Sequence, residues 1–196
     1  MKFRVLSTGV AFAVILGVTA CGSDESTSTT QAPAGAGSAA STFNDADVEF
    51  AQGMIPHHEQ AIEMADIALD PAIGAGPELL DLATRIKGGQ DPEIELMTGW
   101  LTAWGQPVQM DMSDGHDMSS MEGMMTAEEM DGLGMMTGAD FDTMWMEMMI
   151  AHHNGAISMA ETVKSDGSNA DVLALADEVI TAQQGEIAEM QALLGS

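Results

Sequence analysis

The chain has 196 residues, five Lys or Arg against 31 Asp or Glu, and a formal net charge of −26 at pH 7. Such a field repels nucleic-acid phosphates and attracts cations, which excludes nucleic acid as a partner and favours a metal ion, although acidity also serves solubility. The single cysteine, Cys21, leaves no disulfide and no thiolate site in a folded domain, so site chemistry must come from His, Met, carboxylate or backbone.

The N-terminus is the first element. Lys2 and Arg4, an apolar run over residues 5–17, and the small residues Val18, Thr19 and Ala20 predict a signal peptide over residues 1–20. The run is too short to span a bilayer comfortably. Cys21, directly after the cleavage site, resembles the lipobox of bacterial lipoproteins; the alternative is an ordinary secretory signal with an incidental cysteine. The resemblance implies an acylated Cys21 and an exported protein held by its lipid to the outer face of the bacterial cell membrane, or in the periplasm. Residues 21–43 are Ser, Thr, Ala, Gly and Pro with almost no large apolar side chain, and cannot form a core. They predict a flexible tether with a reach of roughly 25 Å.

Residues 44–196 read as one unit present twice. Asp47, Phe50, Met54, Ile55, His57, His58, Ala61, Ile62, Met64 and Ala65 match Asp142, Trp145, Met149, Ile150, His152, His153, Ala156, Ile157, Met159 and Ala160 at a constant offset of 95. A second match, offset by 93, pairs Leu79, Leu82, Ile86, Gln90, Glu93 and Met97 with Val172, Leu175, Val179, Gln183, Glu186 and Met190. The spacing predicts an all-α protein: a four-helix bundle of two duplicated hairpins, copy one over 44–105 and copy two over 139–196, joined by a Met-rich connector over 106–138. In the first helix Asp47, Phe50, Ala51, Met54, His57, His58, Ala61, Met64 and Ala65 share one face, with Glu49, Gln52, Glu59, Gln60, Glu63 and Asp66 opposite. Pro56, Pro92, Gly88, Gly89 and Gly185 fall inside helical patterns and predict kinks.

Four of the five histidines lie in the two matched pairs, His57 and His58, His152 and His153. Met54 and Met149 stand one turn ahead of them, and Met64 and Met159 lie further along the same stripes, so thioether and imidazole share a face. Imidazole suits copper, zinc, iron and nickel, whereas thioether selects soft Cu(I). These eight residues are therefore candidate ligands, with copper ahead of zinc or iron. Gln90, Gln183, Asp47 and Asp142 are candidate partners of the histidine N–H groups. The competing reading is a non-catalytic interaction bundle whose histidines are structural and whose methionines fill the core.

In the connector, Met110, Met112, His116, Met118, Met121, Met124 and Met125 form a second candidate tract, a loose collector of Cu(I) or Ag(I), or else a hydrophobic lid over the bundle. Thr126 with Glu129 predicts a capping box that starts a short helix.

On the repeated Met-Ile-x-His-His stretches and the run from Met124 to Met130, the chain resembles the family known as domain of unknown function 305, over residues 44–194. That resemblance implies a ferritin-like four-helix bundle in an exported or envelope protein, with copper binding and copper tolerance in some members. A ferritin-like di-metal oxidase would need inward Glu residues and Glu-x-x-His pairs. Met54 and Ile55, and Met149 and Ile150, stand where such carboxylates would be, leaving Glu93, Glu186, Asp47 and Asp142 as inward candidates. The expected function is copper buffering, sequestration or transfer without catalysis. A homodimer and the protein partner are left open.

Overall fold

The computed structural model describes residues 42–109 and 121–195. Cys21 and four members of the connector tract, Met110, Met112, His116 and Met118, lie outside the described residues. The described residues form five helices and no strand: α1 Asp45–Leu69, α2 Pro77–Trp104, α3 Ala127–Gly134, α4 Gly138–Asp166 and α5 Ala170–Leu194.

Local chemistry sets the helix ends. Asn44 caps α1 in a box with Asp47, and Thr126 caps α3 in the box with Glu129 that the sequence predicts. The Thr126 hydrogen bonds hold the Glu129 carboxyl below its usual range. Pro77 opens α2, where a missing N–H costs nothing, and Gly105 closes it at φ 69°, a left-handed conformation suited to glycine. Pro56 and Pro92 lie inside helices that continue past them. No helix among the described residues is long and apolar enough to cross a membrane.

The principal packing is α1 on α2, α4 on α5, and α1 on α4, with α3 resting on α4. Trp145 meets Met64, His152 meets His57, and the Asp166 carbonyl meets Asn44. Helices α1 and α4 therefore run antiparallel, with the histidines at mid-seam. The buried residues form two apolar clusters. One holds Met64, Leu82, Ile86, Phe141, Trp145 and Met149, and the other Phe50, Met54, Met97, Ala160, Val172 and Val179. Along α1 and α4 the histidine pairs fall between the two clusters, and Gln90 and Gln183 do so along α2 and α5. A polar layer thus divides the hydrophobic core.

Asp47 and Asp142 stitch the hairpins together. The fully buried Asp47 carboxylate accepts from Asn44 N, from Ser168 N and Oγ, and from Asn169 N, so a residue of α1 caps the approach to α5. Its repeat Asp142 accepts from Gly76 N, at 3.0 Å, ahead of α2. Neither aspartate bonds a histidine, so the supporting role expected of them falls to other residues. Asp47→Ala strands several buried donors and should cost about 2 kcal/mol, whereas Asp142→Ala should cost about 1. Urea midpoints of the two variants measure the difference.

Candidate metal centre

The helical period places His57 and His58 on the inward face of α1 and His152 and His153 on that of α4, and all four side chains are fully buried. The His57 and His152 rings meet across the α1–α4 seam with centroids 3.8 Å apart, and the His152 and His153 rings are 6.3 Å apart. The outer member of each pair is held by a carboxylate of its own hairpin. His58 Nε2 lies 2.6 Å from Glu93 Oε2, and His153 Nε2 lies 2.7 Å from Glu186 Oε2. A carboxylate can only accept, so Nε2 carries a proton and Nδ1 is the nitrogen turned away from the carboxylate, the arrangement by which a carboxylate orients a metal-binding imidazole.

Hydrogen bonding inside the layer is incomplete. Among the described residues, the Nδ1 atoms of His57, His58 and His153 have no hydrogen-bond partner, nor has either ring nitrogen of His152 a well-formed one. Both amide atoms of Gln90 and Oε1 of Gln183 are likewise unpartnered. Each such group costs about 1–3 kcal/mol when buried without compensation. A layer of them is expensive unless something else satisfies it.

Burial also fixes the protonation state. It pushes the His57 pKa from 6.5 down to about 3; the neighbouring His58 and His153 reinforce this, and the bond to Glu122 O opposes it. His152 is likewise driven well below 6.5, by burial first and then by His57, His153 and His58, with the backbone of His57 offsetting only part. Neutral imidazoles keep their lone pairs, which a metal can then take without displacing protons.

Among the described residues, no three His, Cys, Asp or Glu side chains form a ready metal-holding group. Paired imidazoles next to thioethers suit a soft, low-coordinate cation. Met54 and Met149 are both fully buried one turn before the histidines. Met64 is also buried, and its carbonyl accepts the Trp145 indole N–H at 2.8 Å, whereas Met159 is half-buried and lines a surface cleft.

The described end of the connector closes over this layer. His57 Nε2 donates to Glu122 O at 3.3 Å. Gln60, placed on the outward face of α1 by periodicity, clips the strap by donating to Met125 O at 2.8 Å and accepting from Met125 N at 2.7 Å. Gly155, the repeat of Gln60, makes room on α4: a Cβ there would lie 1.9 Å from Glu122 O. Gly123, at φ +83°, is also crowded, since its Cβ would lie 2.7 Å from Ala151 O. The repeat is therefore broken where the strap docks, with a clamp on one helix and a gap on the other. Gly155→Ala should expel residues 121–125, lowering stability by about 1–3 kcal/mol through overpacking despite the better helix former. Amide hydrogen exchange at Met125 should rise toward the unprotected rate. Met121, Met124 and Met125 are half-buried in this strap.

The helical period points Gln90 and Gln183, like Asp47 and Asp142, toward the histidines as candidate partners. The structure gives that role to Glu93 and Glu186, one turn further on, and the signal was their recurrence at the same offset. Gln60, Gly123 and Gly155 carried no local signal.

The fold recurs in solved structures. A predicted secreted DUF305 protein from Streptomyces coelicolor is 31% identical with a TM-score of 0.69, the match covering 76% of this chain and 92% of that one. A DUF305 fragment from Deinococcus radiodurans is 30% identical with a TM-score of 0.69, over 78% and 97% of the two chains. CopM in its Cu(II)-bound form is 34% identical with a TM-score of 0.64, over 76% and 95%, and CopM has also been solved with Cu(I), with Ag and in the apo form. No curated protein sequence matches the chain. The family profile for the domain of unknown function DUF305 covers residues 47–194, and the chain belongs to that family.

Proposed function

We propose that this is an exported copper-binding protein that buffers, sequesters or hands over copper without catalysis, anchored to the membrane by an acylated Cys21. The observation that carries the reading is the layer of four fully buried imidazoles, each with an Nδ1 that has no partner among the described residues, placed between two apolar clusters beside Met54 and Met149. Glu93 and Glu186 orient His58 and His153 through Nε2, so Nδ1 is the donor atom offered to the metal. Cu(I)-, Cu(II)- and Ag-bound forms of the similar CopM support a metal-handling role, and the secreted relative supports a site outside the cytoplasm. The net charge of −26 draws cations toward the chain.

Metal titration tests the proposal. The protein should bind copper in preference to zinc and iron when each competes with a chelator of known affinity. Tighter binding of iron, with oxygen consumption, would overturn it in favour of an oxidase. No binding of any metal would favour a structural bundle.

A further inference from the structure

The antiparallel seam of α1 and α4 has two ends that the repeat makes comparable, and they are filled differently. At one end Trp145 and Met148 are buried, with the indole N–H on Met64 O. At the other end the corresponding residues, 95 positions earlier, are Phe50 and Gly53. Replacing an indole by a phenyl ring and a thioether side chain by a hydrogen leaves a cleft of about 190 Å³ between the helices. Met159 lines it from α4 and Met121 from the connector, with the carboxylate-bearing Glu49 and Asp166 also at its walls. Met64, the repeat of Met159, is fully buried against Trp145 and has no such freedom.

We infer that this cleft is a second soft-cation site, in which the thioethers of Met121 and Met159 hold Cu(I) while Glu49 and Asp166 balance its charge. The inference rests on the copper reading above and extends it to the path by which the ion reaches the histidines. Thioether sulfur discriminates for soft monovalent ions over the hard cations that carboxylates alone would collect. Gly53 stands four residues before His57 on the same face of α1. Met121 precedes Glu122, whose carbonyl accepts from His57 Nε2. The cleft therefore adjoins both the strap and the buried imidazoles, and an ion bound there is one helical turn from the layer. In the other half Trp145 and Met148 fill the corresponding stretch of the α1–α4 seam, so along this seam the two halves differ despite the duplicated sequence.

The test uses full-length protein carrying 13C-labelled methionine methyls, titrated anaerobically with Cu(I) while methyl and imidazole resonances are followed together. The Met121 and Met159 methyls should shift in step. Gly53→Met, which copies Met148 into the first half, should abolish both shifts and slow imidazole loading by about tenfold or more, the scale on which local ion concentration sets association rates. Met121→Leu with Met159→Leu keeps the volume while removing the sulfurs and should do the same, which keeps the test decisive if the Gly53 variant misfolds. Imidazole shifts with unmoved Met121 and Met159 methyls would overturn the cleft site and leave the copper function standing. Methyl shifts with unmoved imidazoles would keep the cleft site and overturn the histidine centre.

Discussion

His152→Leu should weaken copper binding and at the same time make the metal-free protein more stable. His152 is fully buried, neither ring nitrogen has a well-formed hydrogen bond among the described residues, and its ring lies tilted by 42° against that of His57 with centroids 3.8 Å apart. Leucine fills a similar volume and needs no hydrogen bond, so removing two stranded polar atoms should raise the unfolding free energy by about 1–2 kcal/mol. Copper affinity should fall by at least about 100-fold, the upper end of what is lost when only a ligand's supporting partner is removed. His57→Leu added to it should deepen the loss. Chelator competition and urea denaturation of the same preparations read the two effects. The opposite signs matter, because a histidine kept for its structural bonds would lower stability when replaced and leave copper binding intact.

Metal-free protein should lose stability on mild acidification, well before most carboxylates titrate. The His57 pKa is about 3 when folded and 6.5 when not, so between those values the unfolded chain binds more protons. Stability is therefore full above about pH 6.5 and declines as pH falls toward 3, and the step from pH 7 to 5 should cost about 2 kcal/mol for His57 alone. His152 is shifted in the same direction and adds to the loss. His57→Leu with His152→Leu should flatten the profile over this window. Bound copper should raise the whole profile without flattening it, since a ligated nitrogen takes no proton while the unfolded chain still does. Thermal unfolding midpoints at pH 7, 6 and 5, with and without copper, give the measurement.

The inward stripe is legible in the sequence because side-chain direction along a helix follows from the period alone. Thus Met54, His57, His58, Ala61, Met64 and Ala65 are all fully buried, as are His152, His153 and Ala156 in the repeat. The Thr126 box is legible for the same local reason. Interactions between distant segments are not. Asp47 reaches Ser168 across 121 residues, and Gln60 reaches Met125 across 65; neither register can be read from one helix. Glu93 and Glu186 sit at the margin of their stripe, where a long side chain can turn in toward a histidine or out to water. The repeat itself misleads at the strap and at the cleft. Gln60 and Gly155, Phe50 and Trp145, and Gly53 and Met148 occupy equivalent positions but have opposite steric consequences, visible only once the helices are packed.

These departures from the repeat lie along one face of the site, on both sides of the histidines. The clamp at Gln60, the gap at Gly155 and the cleft beside Gly53 all lie where the connector meets α1 and α4. A duplicated scaffold holds four imidazoles at its centre, and departures from the repeat in both halves shape the face against which the connector docks.

The identity of the ligating atoms tests the central claim most directly. In 15N-labelled protein, long-range proton–nitrogen spectra resolve Nδ1 from Nε2 of each imidazole, and diamagnetic Cu(I) leaves them observable. Addition of Cu(I) should shift Nδ1 of His58 and His153 from the range of a free lone pair to that of a ligated nitrogen, with Nε2 remaining protonated toward Glu93 and Glu186. Saturating Cu(I) bound with all four histidines unchanged would contradict the account.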